Sequence, residues 1–313
     1  MTASMPHRIG LILCAVALFG LCYKMIQVPS PTDRAIGQLP VLHDGRVKPM
    51  DTLARHILLQ VQGRLRIQSS NQTPSEWWAD FAFTGQSPTN ASIILVEHPK
   101  LFDAINSAYY KQKFRISEAF SAMHLSTILP LAESAANLKK AERTPYQQAA
   151  YMVMSRALTL STYRQSLFPF GNYESPLKFW NDMISASQGI SETNPVNDEG
   201  FNEFVSFYNQ LVAFNERPSQ VLAFFSSSSA DGQAHWVGLS EAALQPAKYN
   251  RELLNTYLLL TDALIQNDTT LSMSYSQQIR DLFSAQFPWQ SFLVNLEFCF
   301  NMINPFMVSL MLY

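Results

Sequence analysis

The sequence predicts a mainly α protein with a few short strands, an α-rich α+β body held between two apolar ends. Three observations carry that reading. Glycine is scarce, at 11 of 313 residues, so a fold dense in tight turns is disfavoured. Apolar residues make up 47% of the chain and aromatic residues 12%, enough for a sizeable core and too much for a disordered chain. Two N-cap signatures stand in front of periodic apolar segments, Thr73-Pro74-Ser75-Glu76 and Thr144-Pro145-Tyr146-Gln147. In each, a hydroxyl precedes Pro at N1 and a Glu or Gln at N3, the residues of a capping box. Only 15% of residues are charged and the net charge is −2, so no basic field is present for nucleic acid.

Taken in order, residues 1–8 form a short tail and 9–28 an apolar segment. From Ile9 to Tyr23 no residue is charged. As a helix rising about 1.5 Å per residue, the segment would span a hydrocarbon layer of about 30 Å. The rival reading is a cleaved secretory signal after His7 and Arg8. Cys22-Tyr23-Lys24-Met25 lacks the small residues of a cleavage site, and Leu21 before Cys22 departs from the lipoprotein pattern, which favours an uncleaved transmembrane anchor. Arg8 on one side and Lys24 and Arg34 on the other leave orientation open by charge alone. The cysteines are Cys14, Cys22 and Cys299; the body between them carries no thiol, which suits an oxidising compartment and equally suits chance.

Residues 29–49 read as a linker, with Pro29, Pro31 and Gly37 at its start. Asp44-Gly45 demands a turn, Pro49 sets the start of the next helix, and Asp51 or Thr52 can cap it. That helix runs to about Arg64 with Leu53, Ile57, Leu58 and Val61 on one face. Arg46, Lys48 and Arg55 are then gathered where they could hold anionic lipid headgroups or carboxylates, or simply dock the body on its anchor. The helix after Thr144 aligns Tyr146, Ala150, Val153, Ala157, Leu160, Tyr163 and Leu167. A further helix is expected over about 198–214 with Phe201, Phe204, Val205, Tyr208, Leu211 and Val212 aligned. An αα-hairpin is expected over about 250–266 and 271–286, around Asn267-Asp268-Thr269-Thr270. Strand signals are confined to Ser92–Val96 and Val221–Phe225, each expected to lead into a helix, with Ser226–Ser229 as a flexible loop. The helix-rich body is placed at 50–297. Residues 298–313 carry no charge and read as the start of a second membrane span, as though the chain continued.

No active site is legible. His7, His43, His56, His98, His124 and His235 share no zinc-type or i, i+4 spacing, and no metal site is expected. There is no Cys-x-x-Cys-His, no Gly-x-Ser-x-Gly and no phosphate-binding Gly-Lys-Ser/Thr loop. Glu97, Glu118 and Glu133 are isolated carboxylates that suit solvated faces or caps.

The stretch Leu39-Pro-Val-Leu-His-Asp-Gly-Arg-Val-Lys-Pro-Met-Asp-Thr-Leu-Ala-Arg55 resembles the opening of CcsA/CcsB-type (System II) cytochrome c assembly proteins. There a first span precedes Leu-Pro-x-x-x-x-Gly-Arg-x-Lys-Pro-x-Asp-Thr-x-Ala-Arg. Pro40, Gly45, Arg46, Lys48, Pro49, Asp51, Thr52 and Arg55 match that motif. Weaker similarities follow in Ile93–Pro99, Trp236–Ser240 and Asn301–Phe306, where Asn304, Pro305 and Phe306 resemble the lead into a second span. The resemblance implies a protein of the bacterial cytoplasmic membrane whose main domain faces the periplasm. It implies a role in joining haem to apocytochrome c, with membrane lipid, apocytochrome and the remaining haem-handling spans or subunit as partners. In the family, haem is held among later spans, so no haem ligand is carried onto His43, His98 or Trp77. Trp77, Trp78 and Asp80 invite comparison with haem-presenting segments, yet their place just after a capping box makes Trp77, Trp78 and Phe81 a core wedge. The competing classes are a membrane-anchored envelope scaffold without haem chemistry and an envelope hydrolase whose catalytic groups meet only in space.

Overall fold

The computed structural model describes residues 29–65, 67, 72–84, 92–104, 115–117, 122–164, 175–188, 202, 205–209, 212–213, 224–228, 234–244 and 251–302. Within them the protein is helix-rich with a few short strands, as expected. The expected anchor at 9–28 and residues 303–313, with Asn304, Pro305 and Phe306, lie outside the described residues. Among the described residues no helix is long and apolar enough to cross a membrane.

The segment expected as a linker is folded. Asp33–Gly37 forms a π-helical turn with Asp33, Ala35, Ile36 and Gly37 buried. A hairpin follows, β1 (Pro40–His43) against β2 (Arg46–Pro49), with Val41 opposite Lys48 and His43 opposite Arg46. Asp44 and Gly45 both adopt positive φ, 53° and 72°, the backbone of a two-residue primed turn that matches strand twist. The expected turn is therefore present, and the strands it joins were missed because each is only four residues long.

Helix α1 (Met50–Gln62) starts from extended Pro49 and stops at Gly63, whose φ of 69° makes it a left-handed C-cap. Neither Asp51 nor Thr52 is the N-cap. Both lie in the first turn, where Asp51 is buried. Helix α2 (Pro74–Trp78) has the expected box: Glu76 N donates to Thr73 Oγ1 at 3.2 Å and Thr73 N to Glu76 Oε2 at 2.9 Å. A π-helical turn, Ala79–Phe83, prolongs it. Trp77 and Trp78 are fully buried and Trp77 stacks on Phe81, 5.0 Å between centroids, so the wedge reading stands.

Strand β3 (Ser92–Leu95) leads to α3 (Pro99–Ala104) and pairs with β4 (Arg115–Ser117). Helices α4 (Ala122–Ala136) and α5 (Pro145–Arg164) form a hairpin of their own. The Thr144 box is present, with Thr144 N donating to Gln147 Oε1 at 3.0 Å and Gln147 N to Thr144 Oγ1 at 3.2 Å. Ala150, Val153, Leu160 and Tyr163 of the expected stripe are buried. Arg156 fastens α5 sideways, donating to the Leu95 and Gln60 carbonyls.

Helix α6 (Pro176–Gln188) was not foreseen. Its first turn is capped from a distance by Asp262, which accepts from Ser175 Oγ at 2.9 Å and Leu177 N at 3.3 Å. The stripe expected over 198–214 is corrected where it is described: Phe207 is buried, whereas Val205 and Tyr208 are exposed. Strand β5 (Phe224–Ser228) takes in most of the serine run expected as a loop and pairs with β6 (Ala234–Val237), a strand that precedes the helix expected to follow. Backbone pairing, which side-chain composition does not reveal, overrides the polar character of the serines. Helix α7 (Leu239–Leu244) then precedes α8 (Arg251–Ile265) and α9 (Thr269–Gln286), the expected αα-hairpin. Asp268 caps α9 by accepting from Thr270 N and Leu271 N.

The last described helix, α10 (Pro288–Met302), corrects the expected boundary at 298. Residues 298–302 are the end of a helix that begins ten residues earlier and packs against β2, α1 and α9. One core cluster runs from Ala35 in the first turn to Val294 in α10.

Candidate functional site

The motif residues converge on α10. Arg46, at the end of the primed turn, donates from Nη2 to Glu297 Oε1 at 2.9 Å, and Thr52 Oγ1 donates to the same oxygen at 2.8 Å. One turn further along α10, Asn301 Nδ2 donates to Asp51 Oδ2 at 3.0 Å and lies 2.8 Å from Thr52 Oγ1. Asp51 is wholly buried and accepts also from Arg55 Nε at 2.6 Å and from Ser75 Oγ at 3.0 Å. A buried carboxylate needs such saturation, because an unpaired one would be strongly disfavoured in low dielectric. Its charge-assisted bonds tie α1, α2 and α10 at one point.

Gly37 completes this clasp. A Cβ there would sit 2.6 Å from Ser75 Oγ, 2.8 Å from Phe298 Cε2 and 3.3 Å from the Asp51 Cβ. Only glycine lets the first turn approach so closely. Asp33 in that turn accepts from Thr73 Oγ1 at 2.5 Å and from Ser30 N at 3.0 Å. Burial pushes the Asp33 carboxyl above its ordinary range, against those hydrogen bonds. From the other side, Arg280 Nη1 of α9 donates to the Arg34 carbonyl at 2.7 Å. The Arg280 guanidinium is held below its ordinary value by burial.

Lys48 turns away from this centre into a second cluster. Its Nζ lies 3.1 Å from His43 Nδ1, and the same nitrogen is 2.9 Å from Asp44 Oδ2. His43 Nε2 shares a hydrogen bond with the Tyr163 hydroxyl of α5, and the His56 ring lies edge-on at 5.8 Å between centroids. Burial lowers the His43 pKa and the Lys48 charge adds to this, while Asp44 opposes it. Lys48 itself is lowered by burial, and the Tyr163 hydroxyl is pushed up to about 12, by burial first and then by Asp44. At neutral pH His43 is therefore neutral. In one neutral tautomer Nδ1 accepts from Lys48 and Nε2–H donates to the Tyr163 hydroxyl; in the other Nδ1–H donates to Asp44 and Nε2 accepts from that hydroxyl, which keeps its proton at neutral pH. The cluster joins the hairpin to α5.

Expected and observed roles thus divide. Arg46, Asp51, Thr52 and Arg55 form one network, Lys48 another, and Pro40, Gly45 and Pro49 set the backbone between them. These cations bond within the protein: Lys48 is buried, Arg55 pairs with Asp51, and the largely exposed Arg46 pairs with Glu297. Gly37, Ser75 and Glu297 were missed. Of these only Gly37 carried a visible signal, a glycine inside an apolar Ala-Ile-Gly run. Among the described residues no three His, Cys, Asp or Glu side chains are grouped to hold a metal ion. Both ring nitrogens of His43 are engaged, and His56 Nε2 meets Gln60 Nε2 at 2.9 Å. Compared with protein family profiles, curated proteins and solved structures, the chain matches none.

Proposed function

We propose that this chain is the extracytoplasmic part of a cytochrome c biogenesis protein of the CcsA/CcsB type in a bacterial cytoplasmic membrane. In this reading it faces the periplasm and presents an apocytochrome or partner subunit to spans that carry haem. The observation that carries the reading is the clasp. The segment most like the family, Leu39–Arg55, bonds to α10 through Arg46, Asp51 and Thr52, and so fastens the chain after one apolar stretch to the chain before another. Two membrane-proximal ends tied together hold the body at fixed height and orientation, the requirement for delivering a reactive partner to a fixed acceptor.

A surface for the partner is available between α4 and α5. There an open groove of about 630 Å³ is lined by Leu129, Ala132, Tyr151, Met154 and Leu158 among others, with Glu133 on its wall. Such a concave, mainly apolar groove suits a short apolar segment of an incompletely folded chain. Haem itself is assigned to the remaining spans, and no step of its chemistry to residues described above.

The test is maturation of a c-type cytochrome in cells that depend on this protein. Asp51→Ala, which opens the clasp, and Leu158→Asp, which charges the groove, should each lower the yield of covalently bound haem per molecule of this protein present in the membrane. Full haem attachment in both variants would refute the reading and favour a scaffold without haem chemistry.

A further inference from the structure

Helix α10 is apolar on two opposite sides. Val294, Phe298 and Met302 face the core, whereas Trp289, Phe292, Leu293, Leu296 and Phe300 are between 44% and 66% exposed. At 3.6 residues per turn these five positions form one continuous outer stripe, with Trp289 stacked on Phe292 at 5.5 Å. The single charge of the helix, Glu297, is turned to Arg46 and Thr52 and does not interrupt it. Contiguous exposed apolar surface of this kind marks an interaction face.

We infer that this stripe is the face by which the domain rests on the lipid bilayer. Its position in the chain supplies the occupant. Residue 302 continues into the uncharged 303–313, and the turn that follows the apolar 9–28 is seated on the same helix, with Gly37 against Phe298. Both apolar stretches therefore adjoin elements that meet at α10. The stripe itself carries no cation, and Arg46 at its edge is paired with Glu297, so the contact is an apolar and aromatic insertion at the headgroup boundary with no net charge to select anionic lipid. The inference rests on the membrane placement proposed above and not on the cytochrome partner.

The full chain, with its native cysteines replaced by Ser, is reconstituted in phosphatidylcholine nanodiscs. Single Leu293→Cys, Leu296→Cys or Phe300→Cys variants carry a fluorophore, with Gln290→Cys and Asn295→Cys as exposed controls on the flanks of the helix. Lipid brominated near the top of its acyl chains should quench the three stripe positions strongly and the controls weakly, equally with and without anionic lipid. Stripe positions shielded from aqueous iodide yet untouched by brominated lipid would overturn the inference in favour of a covering segment of this chain or a second copy. Full access to iodide would overturn it outright. A chain that fails to enter nanodiscs would sink the membrane placement as well, and cytochrome maturation separates that failure from the present one.

Discussion

In the α8–α9 hairpin the polar bonds that shape its own helices and turn are local: Asp268 caps the residues two and three positions ahead, and Thr256 and Thr261 donate to carbonyls four positions back, while Asp262 and Arg280 reach outward to Ser175 and Arg34. Around Asp51, beyond the bond from Arg55 four positions on, the bonds join residues 24 to 250 positions apart. The hairpin has Leu253, Leu254, Tyr257, Leu258 and Leu260 to bury, and would lose apolar contacts gradually on mutation. The clasp depends on a saturated carboxylate, and removal of one member strands the others. Packing therefore holds the hairpin together, whereas a few specific atoms decide how α10 meets the rest.

The most severe way to break that contrast is Asp51→Ala, which leaves Arg55, Ser75 and Asn301 without their shared acceptor. It should cost about 3–5 kcal/mol, read from the urea midpoint, as expected for an orphaned buried charge. A loss below about 1 kcal/mol would mean that solvent reaches the site. Next is Gly37→Ala, where the new methyl meets Ser75 and Phe298. Overpacking should cost about 1–3 kcal/mol, checked by thermal unfolding. Asp268→Ala, the comparable change in the hairpin, removes one N-cap and should cost about 1 kcal/mol. Arg46→Ala removes a largely exposed ion pair and, with solvent screening, should cost under about 1 kcal/mol.

The last prediction is read as a slope. His43 titrates below its ordinary value in the folded protein. As pH falls below about 6.5 the unfolded chain takes up its proton first, so stability should fall with pH until the folded pKa is passed. His43→Gln should remove that part of the slope in urea midpoints measured from about pH 7.5 to 5. An unchanged slope would assign it to another group.

What could be read in advance follows the same division. Thr73 and Thr144 announced their helices because a capping box is complete within four residues, and the hairpin over α8 and α9 was legible from its spacing and its polar turn. The hairpin of β1 and β2 was half legible: Asp44-Gly45 gave the turn, but strands of four residues are too short for alternation to declare itself. Helix α10 resisted because it is apolar on both sides, so no amphipathic period emerges and its end resembles a membrane span. In the site, Asp51 and Thr52 were singled out as possible caps and Arg46 and Arg55 as gathered cations, and all four by resemblance, but none as a member of one network. Their partners Glu297 and Ser75 carry no local mark, since nothing near either in sequence depends on the bond.

The central claim is that the Leu39–Arg55 segment and α10 are energetically one unit. A double-mutant cycle on Asp51→Ala and Asn301→Ala, read by urea unfolding of the full chain, tests it most directly. The clasp predicts a coupling of about 1–3 kcal/mol, while losses that simply add to within about 0.5 kcal/mol would contradict it.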